Sequence, residues 1–416
     1  MIGWKKGFLK TAGIFLPLMM AAQMLLPVTA EAAPLLTIGN TGDDTAVAID
    51  PVNRGDSYSA VLYNNMNGLP TSEANDIVQT ADGFIWIGSY AGLIRYDGDS
   101  FVRMDASTGI SSVVSLHVDE KDRLWIGMND SGLAMMDHGD IRFWTAADGL
   151  TSSKICDIAE DSFGNIYAGT TSGIAVIDEN LNLKMLKEPL IRESSVDKRR
   201  EGADGRIYGI TYDDDVFVLD EGKVARYISH RKSRIPNIVC LLPDPADSDY
   251  IYIGTDNTGF YHASIAKGFA DPETIDISPM TNIMDIQQFR DQVWISGLNG
   301  IGILDSSGFH MIDGLPMNNL IGHISADYEG NLWFTSTRQG VMKIVPNQFV
   351  DLFERYGIPE TVTNSTCMYH DQLFVAADSG LIVLSEDGPV TSLPLESAAS
   401  AGGIALDEHD LISMLR

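Results

Sequence analysis

The sequence predicts an all-β fold of repeated four-stranded units, a β-propeller, on three observations. An aromatic residue recurs at intervals of 39 to 44 residues. Small and turn-forming residues recur at fixed offsets around it. Between these points, short apolar runs alternate with Gly- and Asp-rich turns, which is the pattern of strands. A period near 40 with four strands per unit is that of a propeller blade.

The aromatic anchors are Trp86, Trp125, Tyr167, Tyr208, Tyr252, Trp294, Trp333 and Phe374. A ninth unit starts at "DEHDLISML", with Ser413 in the aromatic place. Three residues before each anchor stands Gly or Asp: Gly83, Asp122, Gly164, Gly205, Asp249, Asp291, Gly330 and Asp371. Both types tolerate the positive φ of a tight hairpin. Two residues after the anchor the side chain is small in seven units, from Gly88 and Gly127 to Ala376. Blades converge on a central channel, and a small residue there lets neighbouring backbones approach. The aromatic then fills the wedge between blades. The fourth unit departs, with Ile210 at the small position and "DDD" at 213–215 where the others have Gly.

Each unit thus reads as an apolar inner strand ("IVQT"), the aromatic strand ("FIWIG"), a third strand ("GLIRYD") and a polar outer strand ("SFVRMD"). An outer strand also precedes the first unit, because "YSAVLYNNMNGLP" (58–70) matches the unit ends "DIRFWTAADGL" and "GFHMIDGLP". It is positioned to complete a blade begun elsewhere in the chain and so close a ring. Seven to eight blades are visible. The expected division is a lead-in at 34–57, a first propeller at 58–357, and at 358–416 either the start of a second propeller or an eighth blade.

Residues 1–33 differ from the rest. Lys5, Lys6 and Lys10 precede an apolar run from Thr11 to Val28, and Ala30 and Ala32 form an Ala-x-Ala site. This reads as a secretory signal peptide, or else as an uncleaved membrane anchor. Either way the chain is exported, to the periplasm or cell exterior. The formal net charge of −29 argues against nucleic acid as a partner, because phosphate binding needs clustered cations. Cys156, Cys240 and Cys367 lie in strand-like apolar runs, and their odd number reads as buried free thiols.

The unit "GLPTSEANDIVQTADGFIWIGSYAGLIRYDGDSF" (68–101) resembles the two-component regulator propeller repeat. Gly-Leu-Pro, Asp-Gly before "FIWIG", and Gly-Leu followed by Tyr-Asp-Gly-x-x-Phe carry the likeness. The seventh unit matches well, the second and third moderately, and the fourth, fifth and eighth are degenerate. The resemblance implies an extracytoplasmic sensor domain, often two seven-bladed propellers in tandem. A β-sandwich, a transmembrane helix and a kinase or cyclase output module then follow. Carbohydrates are frequent ligands in that family.

The loops joining second to third strands share a face with those entering the inner strands. They are polar: Ser89 and Tyr90; Asn129 and Asp130; Thr170 and Thr171; Tyr212 and Asp213; Asp256 and Asn257; Asn299; Arg338 and Gln339; Asp378. Amides, hydroxyls, carboxylates and a few Tyr suit a carbohydrate or another small polar ligand; singly, each is also an ordinary turn former. A basic cluster (Lys198, Arg199, Arg200, Arg206, Lys223, Arg226, Arg231, Lys232 and Arg234) surrounds the irregular fourth unit. It reads as a solvated loop or as a surface for an acidic group. His323 and His370 fall on or near inner strands, as core or rim histidines. No catalytic, metal or cofactor motif stands out. The leading expectation is therefore a binding domain without enzymatic activity of its own. A secreted propeller hydrolase or lyase is the second reading. A protein–protein scaffold is the third, with a homodimer through propeller faces. Any membrane link would run through the N-terminal segment or a C-terminal helix beyond this sequence.

Overall fold

The computed structural model describes residues 47–49, 58–346 apart from 203, 234 and 291, and parts of the stretch 352–415. The segment read as a signal peptide, residues 1–33, lies outside the described residues, as does His370. Among the described residues no helix is long and apolar enough to cross a membrane.

Six consecutive units each fold into a four-stranded antiparallel sheet in chain order. Their inner strands are Asp76–Gln79, Val113–Val118, Ile155–Glu160, Val196–Glu201, Ile238–Pro243 and Ile283–Phe289, of blades 1 to 6. Blade 7 takes three strands from its own unit, Ile321–Ala326, Leu332–Ser336 and Gly340–Pro346. Its fourth strand is Tyr58–Tyr63, from the front of the chain. Tyr58 pairs with Pro346 and Tyr63 with Val341 in antiparallel register. Val47–Ile49, within the segment read as a lead-in, adds a fifth strand outside it. Each inner strand packs on the next, and that of blade 7 packs on that of blade 1, so seven blades close a ring. Thr363–Tyr369, Gln372–Ala377, Gly380–Ser385 and Gly388–Pro394 form an eighth sheet. Its inner strand packs on Gly403–Leu406, half of a further hairpin. The eighth sheet has no part in the inner-strand contacts that close the ring of seven.

The repeated residues have the roles their columns suggest. Trp125 packs with Ile155 and Ile158 of blade 3. Trp333 packs with Ile77 and Ile87 of blade 1, across the seam of the ring. A Cβ on Gly88 would stand 2.7 Å from Val113 Cγ1, and one on Gly127 2.8 Å from Ile155 Cγ2. Both contacts belong to the next blade, so the small residue does permit the inter-blade approach. Blade 4 inverts the arrangement: Gly209 leaves room for Phe217, which a Cβ would approach within 2.2 Å. Ile210 instead packs into the apolar cluster shared with blade 5.

Hairpin residues Gly83, Asp122, Gly164, Gly205 and Gly330 do adopt positive φ. Asp249 does not; its carboxylate accepts from Ser264 Oγ at 2.6 Å and Ala266 N at 2.9 Å. In blade 6 positive φ falls on Arg290. Of the three thiols, Cys240 is buried while Cys156 and Cys367 are partly exposed, which corrects the expectation of three buried ones.

Candidate functional site

In blades 2 to 7 the inner strand carries a bulge after its first residue, for example between Val113 and Ser115 and between Ile321 and His323. The first residue is always Val or Ile. The bulge re-aims the residue two places on. Asp76, Ser115, Asp157, Lys198, Cys240, Asp285 and His323 therefore share one register, each opposite the small position of its blade's second strand or, in blade 4, opposite Ile210.

Four charged side chains interlock there. His323 Nε2 lies 3.1 Å from Asp76 Oδ1, and Nδ1 lies 3.0 Å from Asp285 Oδ2. Arg200, from blade 4, donates through Nη2 to Asp285 Oδ1. Asp285 is fully buried and also accepts from Ile324 N at 3.0 Å. Asp76 accepts from Leu116 N at 2.7 Å. Beside them Ser115 Oγ donates to Asp157 Oδ1 at 3.3 Å. Burial alone would drive His323 toward the neutral form, but Asp76 and Asp285 outweigh it and hold the imidazolium above its ordinary range. Burial pushes the Asp76 carboxyl up, and His323 and the Leu116 amide offset only part of that. Burial also works against the Arg200 charge, yet the carboxylates of Asp285, Asp157 and Asp76 keep it firmly protonated. Arg200 thus leaves the solvated-loop reading of the basic cluster: it is an ion-paired residue of the inner wall. Arg206 lies at the perimeter, 3.2 Å from Asp220, and Lys223, Arg226, Arg231 and Lys232 are exposed.

This network was hidden in the sequence reading, apart from the placing of His323. The available signal was a Val or Ile, one residue, then the residue that holds this register: "VVS", "ICD", "VDK", "IVC", "IMD", "IGH". The two ring nitrogens of His323 are both held by carboxylates, so neither is available as a base without breaking an ion pair.

The loops between second and third strands sit at the starting ends of the inner strands, as the pairing of Asp76 with Gly88 and Val113 with Met128 requires. Their residues fall into two groups. Several are bound into the fold. Ser89 and Thr170 are fully buried and donate to Gly92 O and Gly173 O, each at 2.9 Å. Asn257 Oδ1 accepts from Thr255 Oγ1 and Gly259 N. Asn299 bridges Thr281 N and Pro279 O. Gln339 Oε1 accepts from Asn318 N and Asn319 N. Thr171 Oγ1 meets Ser152 Oγ at 2.7 Å.

The others are turned outward. Tyr90 is 52% exposed and Tyr212 76%, and Asn129, Asp130, Asp213, Asp256 and Arg338 are exposed as well. Tyr90 belongs to blade 1 and Tyr212 to blade 4, three blades apart. Asp378 is exposed but belongs to the eighth sheet, outside the ring. The irregular "DDD" of blade 4 is structural in two of its three residues. Asp214 caps Asn237 N at 2.8 Å and Ile238 N at 3.0 Å, and Asp215 accepts from Tyr227 Oη and His230 N.

Residues 68–91 match the sequence model of the family described as two component regulator propeller. No curated protein matches the chain. Among solved structures, the fold is similar to the extracellular domain of BT3049, named a hybrid two component system of B. thetaiotaomicron. That match has a TM-score of 0.58 at 19% identity, covering 86% of this chain and 52% of that one. The chain therefore spans about half the length of that extracellular domain. Virginiamycin B lyase from Staphylococcus aureus is similar at TM-score 0.57 and 15% identity, over 69% of this chain and 99% of the other. YCF48, solved bound to a D1 peptide, is similar at TM-score 0.57 and 12% identity, over 74% and 100%. Identities this low speak for the fold. The chain is a β-propeller, and residues 68–91 of its first blade match the two component regulator propeller model.

Proposed function

We propose that this chain is the extracytoplasmic, ligand-sensing part of a two-component-type receptor, binding a carbohydrate or another small polar ligand. The signal would pass to an output module beyond this sequence. The observation that carries the reading is the exposure of Tyr90 and Tyr212 on the loop face, with Asn129, Asp130, Asp213, Asp256 and Arg338 exposed on the same face. Aromatic faces pack on the C–H surface of a sugar ring, while amides and charged groups meet its hydroxyls. The family match at 68–91 and the exported character of the N-terminal sequence support the same reading.

The purified protein should gain thermal stability with a glycan from a broad panel, because a ligand selective for the folded state stabilises it. Tyr90→Ala and Tyr212→Ala should each weaken that binding about tenfold, a loss of about 1.4 kcal/mol. No shift across the panel, by melting and by calorimetry, would remove the carbohydrate version.

The likeness to a propeller lyase motivates a second reading, an enzyme acting on polysaccharide. The locked state of His323 gives that reading less support than the sensor. Product release on incubation with polysaccharides would reverse the order.

A further inference from the structure

We propose a second binding site, for a small aromatic zwitterion such as a free aromatic amino acid, in the cleft between blades 3 and 4. It lies at the opposite end of the blades from the Tyr90 loop face and stands independently of the carbohydrate reading. Its walls come from the first hairpin, the second, third and outer strands of blade 3, and from the turn Glu221-Gly222 of blade 4. The volume is about 400 Å³, within the roughly 300–1,000 Å³ of small-molecule sites.

The chemistry of the cleft is divided. Val176 and Leu186 form an apolar floor, buried in the core between the blades. The Tyr167 hydroxyl is committed to Asp161 at 2.9 Å and the side chain is 2% exposed, so it closes the floor beside Val176. Phe163 stands on the rim, 60% exposed. Such an aromatic, left in water at the mouth of an apolar cleft, is suited to pair with a second ring. Two exposed opposite charges complete the lining, Lys184 on the outer strand of blade 3 and Glu221 on the turn. A carboxylate fits the first and an ammonium the second, and an apolar ring between them fits the floor.

The turn joins the third and outer strands of blade 4, where Asp220 pairs with Lys223. Glu221 and Gly222 both have positive φ, 50° and 73°, as a two-residue hairpin turn requires. At Gly222 a Cβ would lie 3.4 Å from the Tyr167 hydroxyl and 4.0 Å from Leu186 Cδ1. A larger side chain at that position would project into the cleft, so glycine leaves it open while its neighbour carries the charge.

Calorimetry of the whole chain with L-phenylalanine and L-tryptophan tests the site. Saturable binding is expected. Phenethylamine lacks the carboxylate and 3-phenylpropionate lacks the ammonium, and each should bind about tenfold more weakly, one charge contact being lost. Lys184→Met should lower L-phenylalanine to the affinity of phenethylamine and leave phenethylamine unchanged. Phe163→Ala should weaken all three aromatic probes. Both substitutions are at exposed side chains, and an unchanged melting curve confirms the fold. The proposal is overturned by absence of saturable heat up to ~10 mM, the weak end of specific small-molecule affinity. Equal binding of the singly charged analogues, or binding unaffected by Phe163→Ala, overturns it too.

Discussion

Asp119 shows how much one side chain can hold. Its Oδ1 accepts from Lys121 N and Arg123 N, and its Oδ2 from Arg123 Nε at 2.6 Å and Trp125 Nε1 at 2.7 Å. It therefore sets the hairpin and fixes the anchor Trp in one act. Asp161 does the same for Tyr167, and Asp327 for Trp333. Asp119→Ala strands the buried Arg123 and an indole N–H together. Breaking a buried ion pair from one side costs about 3–5 kcal/mol, and urea denaturation should read a loss of that size. The aromatic anchors were legible in the sequence because they repeat. Their partners, six residues earlier, were not, because an Asp in a turn is already explained by turn chemistry. Ser89 and Thr170 make the converse point. Both are polar residues at a loop, yet each is the last residue of its strand and faces inward.

At the scale of elements, the seam of blade 7 decides whether the ring holds. Tyr58–Tyr63 contributes backbone pairing along Gly340–Pro346 and an edge-to-face contact of Tyr58 with Trp294, centroids 5.8 Å apart. Gly340 is indispensable here, since a Cβ on it would lie 2.2 Å from Tyr63 O. Val61 lies opposite Lys343, in the middle of the pairing. Val61→Pro in the middle of that pairing should cost about 3 kcal/mol or more. The expected readout is a lower urea midpoint with loss of native tryptophan fluorescence, as Trp294 and Trp333 at the seam become exposed. This strand was legible because its sequence copies the ends of other units. The pairing of Arg200 with Asp285 was not: it joins residues 85 apart in sequence, and only closure of the ring brings blades 4 and 6 face to face.

Across the molecule, stability should fall toward alkaline pH. His323 has its folded pKa raised above the ordinary value near 6.5. Its contribution is complete below about pH 6.5 and is lost as pH climbs through the folded value. Asp76, also raised, acts in the same direction, since the folded state holds its proton better than the unfolded chain does. Asp97, Asp105 and Asp178 are exposed and lowered by hydrogen bonds, mainly to turn amides and a serine hydroxyl; their contributions are lost only on acidification below about pH 4. Urea midpoints should therefore decline from about pH 6.5 upward, and His323→Gln should flatten that slope. An equal slope in the variant would place the alkaline loss elsewhere.

The origin of the closing strand has a consequence for how the protein is made. Tyr58–Tyr63 leaves the ribosome early, while its partner Gly340–Pro346 follows about 280 residues later, or roughly 15–55 s at usual synthesis rates. During that interval blades 1 to 6 are made in turn as an open arc, and Tyr58–Tyr63 waits without its Gly340–Pro346 partner. Completion of the ring is thus also the moment at which the earliest strand gains its latest partner.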